Sequence, residues 1–158
     1  LLCWFSHLIG DSHQPLHSAE SFSQAFPKGD GGGGQWPISE VARADSLHAL
    51  WDDIAIGTGD AAKTAKAVDE LAVRLAHDHP RQSFPQLKQN KDLPTWMQKE
   101  TFPLAVHFGY LDGKLPVPAP YHPTKLTDAY VKNARDTTES QLALAGYRLA
   151  DFLYELLR

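Results

Sequence analysis

The stretch HLIGDSHQPLH, residues 7–17, decides the fold of this chain, and LHALWD, residues 47–52, repeats part of its pattern. In each stretch a histidine precedes an aspartate by four positions, as His7–Asp11 and His48–Asp52. Positions i and i+4 share one face of an α-helix, with Cβ atoms about 5–6 Å apart. Imidazole nitrogen and carboxylate oxygen both bind zinc at roughly 2.0–2.2 Å, so one ion fits between the members of each pair. The two stretches therefore predict helices that carry metal ligands.

His17 adds a third imidazole beyond Asp11, across a bend that Pro15 stiffens. Each His–Asp pair alone could be a helix cap or an ion pair, but the repeated spacing favours metal binding. Cys3 is the only cysteine, which excludes an intrachain disulfide and a zinc site built from thiolates. We expect this thiol, which lies between apolar neighbours, to be buried. The sequence thus predicts a metal site made of His and Asp, and with it a hydrolytic enzyme or part of one.

The composition is that of one ordinary globular domain over residues 1–158. Hydrophobic residues make up 42% and charged residues 22%, and no apolar run is long enough to span a membrane. The formal net charge of −4 argues against a nucleic-acid-binding module that works through a basic patch. Bound metal ions would still place positive charge where a phosphate must bind, so a metal-dependent nuclease is not excluded.

The hydrophobic spacing predicts a mainly α chain without internal repeats. We expect helices over residues 1–11, 44–56, 61–77, 96–108 and 126–157. We expect irregular segments between them, namely a Gly- and Pro-rich loop over 18–40 with room for a short hairpin, a polar loop over 80–95 and a Pro-rich strap over 115–123. Asp45 is the predicted N-cap of the second helix, and Pro103 is predicted to kink the fourth.

Two of these helices have an apolar face that predicts which side packs inward. On the helix over 61–77 the predicted buried residues are Ala65, Val68, Ala72 and Leu75. On the helix over 126–157 they are Ala134, Leu142, Ala145, Leu149, Phe152 and Leu156. Trp51, beside the second His–Asp pair, is expected to pack in the core.

Taken in order, HLIGDSHQPLH, the Gly-rich GDGGGG at 29–34 and LHALWD resemble the zinc-dependent S1/P1 nuclease family. WMQKET at 96–101 and AGYRLADFL at 145–153 extend the resemblance over essentially the whole chain. The resemblance implies a mainly α, multi-helix phospholipase C/P1 nuclease-like fold. It also implies that the chain corresponds to roughly the C-terminal three-fifths of the family's length, so that the family's N-terminal portion, with its further ligands, is missing.

The resemblance implies a role for each ligand in a site that holds three zinc ions when intact. His7 would bind the first zinc of a close pair, and Asp11, the residue central to catalysis, would bridge that pair. The separate zinc, the one site that is complete here, would be held by His17, His48 and Asp52.

Three further residues are expected around that site. His13 is expected to orient a metal ligand, and Asp30 is expected to hydrogen-bond to a ligand histidine. Trp36 is a candidate for stacking a nucleobase. Gly34 stands where the family has asparagine.

The function that the resemblance implies is hydrolysis of phosphodiester bonds in single-stranded DNA and RNA, leaving 5′-phosphates, together with 3′-nucleotidase activity. Zinc suits this reaction because it can lower the pKa of bound water from 15.7 to about 7. Two alternatives stay open: a zinc-dependent phospholipase C of the same fold, and a non-catalytic helical fragment that binds one structural zinc. Single-stranded nucleic acid or a nucleotide is the expected substrate, and the resemblance implies a periplasmic or secreted protein.

Overall fold

Helices predominate in this chain, of which the computed structural model describes residues 2–41, 43–57, 65–89, 91–119 and 122–158. The helices in these ranges are α1 (Leu2–His13), α2 (Leu47–Asp53), α3 (Ala65–Asp78), α4 (Gln86–Gln89), α5 (Leu93–Trp96), α6 (Phe102–Leu104) and α7 (Asp128–Leu156). Strands β1 (Pro37–Val41) and β2 (Ala44–Ser46) form an antiparallel hairpin. The predicted mainly α fold is confirmed. Among the described helices, none combines the length and apolarity that a bilayer crossing requires.

The short helix α2 is fixed by its buried side rather than by its length. Leu47, Leu50 and Ile54 are almost completely buried, and each such side chain stabilises the fold by about 1.5–3 kcal/mol. Trp51 is also buried, as expected, and its Nε1 donates a hydrogen bond to the Tyr130 hydroxyl at 3.0 Å. Because this face of α2 is held in the core, the opposite face points outward with its His and Asp.

The N-cap of α2 is Ser46, so the prediction for Asp45 is wrong. The Ser46 hydroxyl accepts a hydrogen bond from the Ala49 amide at 3.3 Å, whereas Asp45 belongs to β2. The hairpin continues through Ser46, and only there does the extended chain turn into the helix.

Helix α1 packs on α7 through one narrow face. Ile9 is buried, and the Phe5 ring stacks on Phe152 with 3.7 Å between ring centroids. Cys3 is exposed, contrary to our expectation, because it lies on the opposite side of α1 from Phe5 and Ile9. Apolar neighbours in sequence therefore did not bury this thiol.

The predicted apolar faces of α3 and α7 are only partly correct. On α3, Leu75 is buried beside Leu71, while Ala65, Val68 and Ala72 are exposed. Two leucines form the whole contact because α3 is covered only along this side. The predicted start of this helix, at residue 61, lies outside the described residues.

On α7 the predicted burial fails toward the C-terminal end. Ala134 and Ala145 are buried, and Leu142 and Leu149 are half-buried. Phe152 and Leu156 are exposed, because the buried residues of α7 end at Arg148 and its last turns extend beyond the core.

The helical run around Pro103 is continuous, and it carries Glu100 and Thr101. Helix α5 passes into a π-helical segment, Met97–Thr101, and α6 passes into a second one, Ala105–Gly109. Proline lacks an N–H and its ring crowds the preceding turn. The helical run continues through Pro103 without a break, and wider π-helical turns lie on both sides of it.

Candidate metal centre

Three of the five predicted ligands converge on one point. The donor atoms of His17, His48 and Asp52 all lie within 4.8 Å of one another. Asp52 Oδ1 lies 3.5 Å from His17 Nε2, and Asp52 Oδ2 lies 3.5 Å from His48 Nε2. Two ligands of a tetrahedral zinc ion with bonds of 2.0–2.2 Å are about 3.3–3.6 Å apart. Both His–Asp separations therefore fit two ligands of one metal ion, each histidine facing a different oxygen of Asp52, and three protein donors leave a fourth position for water or substrate.

Asp11 lies between this three-donor cluster and His7. Its Oδ2 is 3.1 Å from His7 Nε2, and its Oδ1 is 3.8 Å from His17 Nδ1. One carboxylate oxygen thus faces each side, an arrangement that suits a carboxylate shared between two cations. The five predicted ligands form one continuous row, although His7 and Asp11 supply only two donors among the described residues.

The glycine-rich turn orients His48. Its Nδ1 lies 2.9 Å from the Gly32 carbonyl oxygen, so the N–H on Nδ1 donates there and Nε2 is left free as a ligand. Gly32 has φ +61°, and a Cβ at this position would lie 2.6 Å from the Leu16 carbonyl oxygen. The turn can approach His17 and His48 this closely because residue 32 is glycine.

Gln14 is a functional residue that the sequence analysis missed. Its Nε2 donates a hydrogen bond to Asp52 Oδ1 at 2.9 Å, and its Oε1 accepts from the Leu16 amide. Gln14 therefore links the Pro15 bend to the ligand on α2. The signal available in the sequence was its place inside the ligand-rich stretch, next to Pro15.

The ligands alter one another's proton affinity. The hydrogen bond to Asp52 raises the pKa of His17, and this effect outweighs burial, which lowers it. Burial would raise the pKa of Asp52, but hydrogen bonds from His17 and Gln14 and the nearby charge of His48 lower it overall. A metal ion must therefore displace a proton that His17 holds more firmly than an ordinary histidine does.

His13 lies at the edge of the ligand cavity, but both of its ring nitrogens hydrogen-bond to residues other than the ligands. It is buried, its Nδ1–H donates to the Ile9 carbonyl at 2.7 Å, and its Nε2 accepts from Arg148 Nη1 at 2.7 Å. Burial lowers its pKa to about 4, which keeps the imidazole neutral. These two hydrogen bonds connect it to the last turn of α1 and to α7, and neither of them goes to a ligand.

Asp30 and Trp36 also have partners other than those we expected. Asp30 is fully buried and accepts hydrogen bonds from the Tyr110 hydroxyl at 2.9 and 3.1 Å instead of from a ligand histidine. Trp36 is 2% exposed, and its Nε1 donates to Thr124 Oγ1 at 3.0 Å. A ring packed in the core in this way cannot stack a nucleobase, so the prediction for Trp36 is wrong.

The five predicted ligands line a cavity of about 490 Å³ whose far wall is α7. Thr138 and Gln141 contribute to that wall, and Thr138 Oγ1 and Gln141 Oε1 are buried without a hydrogen-bond partner among the described residues. Buried polar atoms are nearly always paired in native proteins. Both oxygens are shielded from solvent, so this wall holds two polar atoms, unpaired within the described ranges, just beneath the surface of the cavity.

Known proteins resemble this chain over its whole length. The family model described as S1/P1 Nuclease matches residues 1–158. Endonuclease 3 of Arabidopsis thaliana is 30% identical over 96% of this chain and 49% of its own length. Endonuclease 4 of the same plant is 29% identical over 94% of this chain and 48% of its own length. The chain thus spans about half the length of these relatives, and no solved structure matches it.

Proposed function

Because the chain belongs to the S1/P1 nuclease family, we propose that it carries the metal-ligand cleft of a zinc-dependent nuclease. The observation that carries the proposal is the convergence of His17, His48 and Asp52 at the spacing of a tetrahedral ion. The proposed reaction is hydrolysis of phosphodiester bonds in single-stranded DNA or RNA, with 5′-phosphate products and 3′-nucleotidase activity. The strand preference and the products are proposed from the family resemblance.

Zinc is the proposed metal because of the donor set. Two imidazoles and one carboxylate suit zinc, and three protein ligands with an open fourth position are typical of catalytic rather than structural zinc sites. When bound, zinc polarises a phosphoryl oxygen and lowers the pKa of water to about 7.

The residues of the cleft support this assignment by their charge. The cavity contains the carboxylates of Asp11 and Asp52, and neither lysine nor arginine is among its described lining residues. A phosphodiester would be repelled by two carboxylates without bound cations. A cleft of this charge suits a phosphate substrate only when metal is bound.

Each residue of the cleft has a separate task in the proposed reaction. Asp11 offers one oxygen to each side, so it would hold the cations close together and is the residue on which hydrolysis depends most. Gln14 and the Gly32 carbonyl hold Asp52 and His48 in orientation. Thr138 and Gln141 form the wall opposite the ligands.

A second candidate function is a non-catalytic module with one structural zinc. The observation that favours it is the uneven donor set, since the described residues offer three donors at one point but only two at the His7–Asp11 pair. On this alternative the chain would bind one zinc and hydrolyse nothing.

The test is to measure metal content and hydrolysis together in the wild-type chain and in His48→Ala. We expect His48→Ala to lose the zinc held by the three-donor cluster and, with it, cleavage of single-stranded DNA. His107→Ala is the matched control, because His107 is an exposed histidine outside the cleft. Equal zinc content in all three proteins would contradict the ligand assignment. Bound zinc without cleavage of DNA, RNA, a 3′-nucleotide or a phosphatidylcholine analogue would favour the structural module.

A further inference from the structure

The bend formed by residues 13–18 determines where His17 stands relative to the other donors. Asp11 lies in α1 just before the bend, and His17 lies inside its last turn, the 3₁₀ helix Pro15–Ser18. Imidazole donors must be placed within a few tenths of an ångström to form bonds of about 2.0–2.1 Å to zinc. The side chains that hold the two ends of this bend therefore bear on metal affinity.

The first end is held by Arg148 of α7. Arg148 Nη1 donates to His13 Nε2 at 2.7 Å and to Glu100 Oε2 at 2.9 Å, and Nη2 donates to Glu100 Oε1 at 2.8 Å. The guanidinium also lies over the Trp96 ring, 4.3 Å from its centroid. His13 in turn donates to the Ile9 carbonyl, so Arg148 is tied to the last turn of α1.

The second end is held by the neighbour of Glu100. Thr101, completely buried, shares a hydrogen bond of 2.6 Å between its hydroxyl and that of Ser18. Glu100 and Thr101 are consecutive residues of the π-helical segment Met97–Thr101. One segment thus reaches residue 13 through Arg148 and residue 18 directly.

We propose that Arg148, Glu100 and Thr101 are positioning residues that hold His17 at metal-binding distance from Asp52; this inference rests on the proposed zinc site. The Arg148 and Glu100 side chains are only 4% and 9% exposed. A buried ion pair is often no more stabilising than apolar side chains of the same volume. The geometric demand of the metal site explains why a bidentate pair lies here.

A matched control exists on the same helix. Arg74 of α3 forms an equally bidentate pair with Glu139 of α7, with Nη–Oε distances of 2.9 and 2.8 Å. This pair joins α3 to α7 and does not touch residues 13–18. Arg74 is 45% exposed and Arg148 only 4%, so the structural cost of removing each pair differs and must be measured separately. Only the pair of Arg148 and Glu100 is connected to the donor-bearing bend.

The experiment compares Arg148→Met/Glu100→Gln with Arg74→Met/Glu139→Gln, each the full chain with both charges of the pair removed. The probe is Zn²⁺ alone, titrated against a chromophoric chelator, with the Co²⁺ absorption spectrum as a second report on ligand geometry. Melting of the metal-free proteins measures the purely structural loss. We expect the first variant to bind zinc about 10–100-fold more weakly, as for other residues that orient metal ligands, with an altered Co²⁺ spectrum. The control should keep the wild-type affinity and spectrum.

Equal zinc affinities in the two double variants would overturn the inference, whatever their melting temperatures. If the loss of Arg148 and Glu100 unfolds the chain, Thr101→Val, which removes only the hydroxyl that contacts Ser18, should still weaken zinc binding, and an unchanged affinity would overturn the inference. Failure of the wild-type chain itself to bind zinc would instead overturn the proposed function, and the inference with it.

Discussion

Gly32→Ala tests how the glycine-rich turn holds the donor set. Gly32 has φ +61°, a left-handed conformation that costs a residue with a Cβ about 1–2 kcal/mol. The added Cβ would also lie 2.6 Å from the Leu16 carbonyl oxygen and 3.5 Å from His48 Nδ1. The Leu16 oxygen is a backbone atom next to His17, so the clash can be relieved only by moving the turn or the bend that carries this ligand.

Gly31→Ala separates the two effects. Gly31 has nearly the same φ, +64°, but a Cβ there would meet only the end of the Gln35 side chain, at 3.7 Å. Both variants should lose about 1–2 kcal/mol of unfolding free energy from the left-handed backbone, and Gly32→Ala should lose more. Only Gly32→Ala should also displace the acceptor of His48 Nδ1–H, which predicts zinc affinity about 10–100-fold lower, or about 1.4–2.8 kcal/mol of binding free energy.

The assay pairs urea denaturation of the metal-free chains with chelator competition for zinc. We expect both variants to lose unfolding free energy, Gly32→Ala more than Gly31→Ala. Only Gly32→Ala should also bind zinc more weakly. If Gly31→Ala and Gly32→Ala bound zinc equally well, the glycine-rich turn would not orient His48, and its glycines would serve only the path of the backbone.

Two further predictions concern proton competition and the core. The hydrogen bond to Asp52 raises the pKa of His17, and the pKa of Asp52 itself is lowered. In titrations between about pH 8 and pH 5, zinc affinity should therefore fall as the pH drops through the raised pKa of His17, because a protonated imidazole cannot bind zinc. Asp52 should stay ionised over this range. Above about pH 6.5 the metal-free chain should show the opposite slope, since protonated His17 stabilises it and this stabilisation is lost as the pH rises; below that pH the lowered pKa of His13 makes stability fall with the pH instead. A metal-free chain that gained stability from about pH 6.5 to about pH 8 would contradict this reasoning. Trp36→Phe should cost about 1 kcal/mol in urea denaturation, because the hydrogen bond to Thr124 is lost, and should leave DNA binding unchanged. Weaker DNA binding at full stability would mean that the indole reaches the substrate after all.

The pairing of a histidine with an aspartate on each helix could be predicted from sequence because that information is local. The His7–Asp11 and His48–Asp52 pairs each lie on one helical face, and the structure keeps both spacings. The core face of α2 could also be predicted, because its leucines and tryptophan recur at helical spacing. Spacing alone could not give the distance between the pairs, which the bend and Gln14 fix.

The parts that sequence did not reveal depend on distant partners. Arg148 meets His13 across 135 residues, and Trp36 meets Thr124 across 88, so no local pattern indicates either contact. Cys3 was misjudged for a related reason, since burial depends on which side of α1 finds a partner. The spacing of apolar residues indicates which faces of a helix could be buried. The tertiary fold determines which of these faces is covered by another element.

The π-helical turns beside Pro103 mean that the number of residues in this helix affects the contacts of its side chains. A π-helical turn holds more residues than an α-helical one, so it absorbs an extra residue without breaking the helix. Deleting one residue between Met97 and Thr101 would restore ordinary α-helical hydrogen bonding and keep the flanking turns in register, yet it would displace Glu100 and Thr101 from Arg148 and Ser18. The number of residues in this helix is therefore set by the contacts of Glu100 and Thr101 and not only by the hydrogen bonds of its backbone.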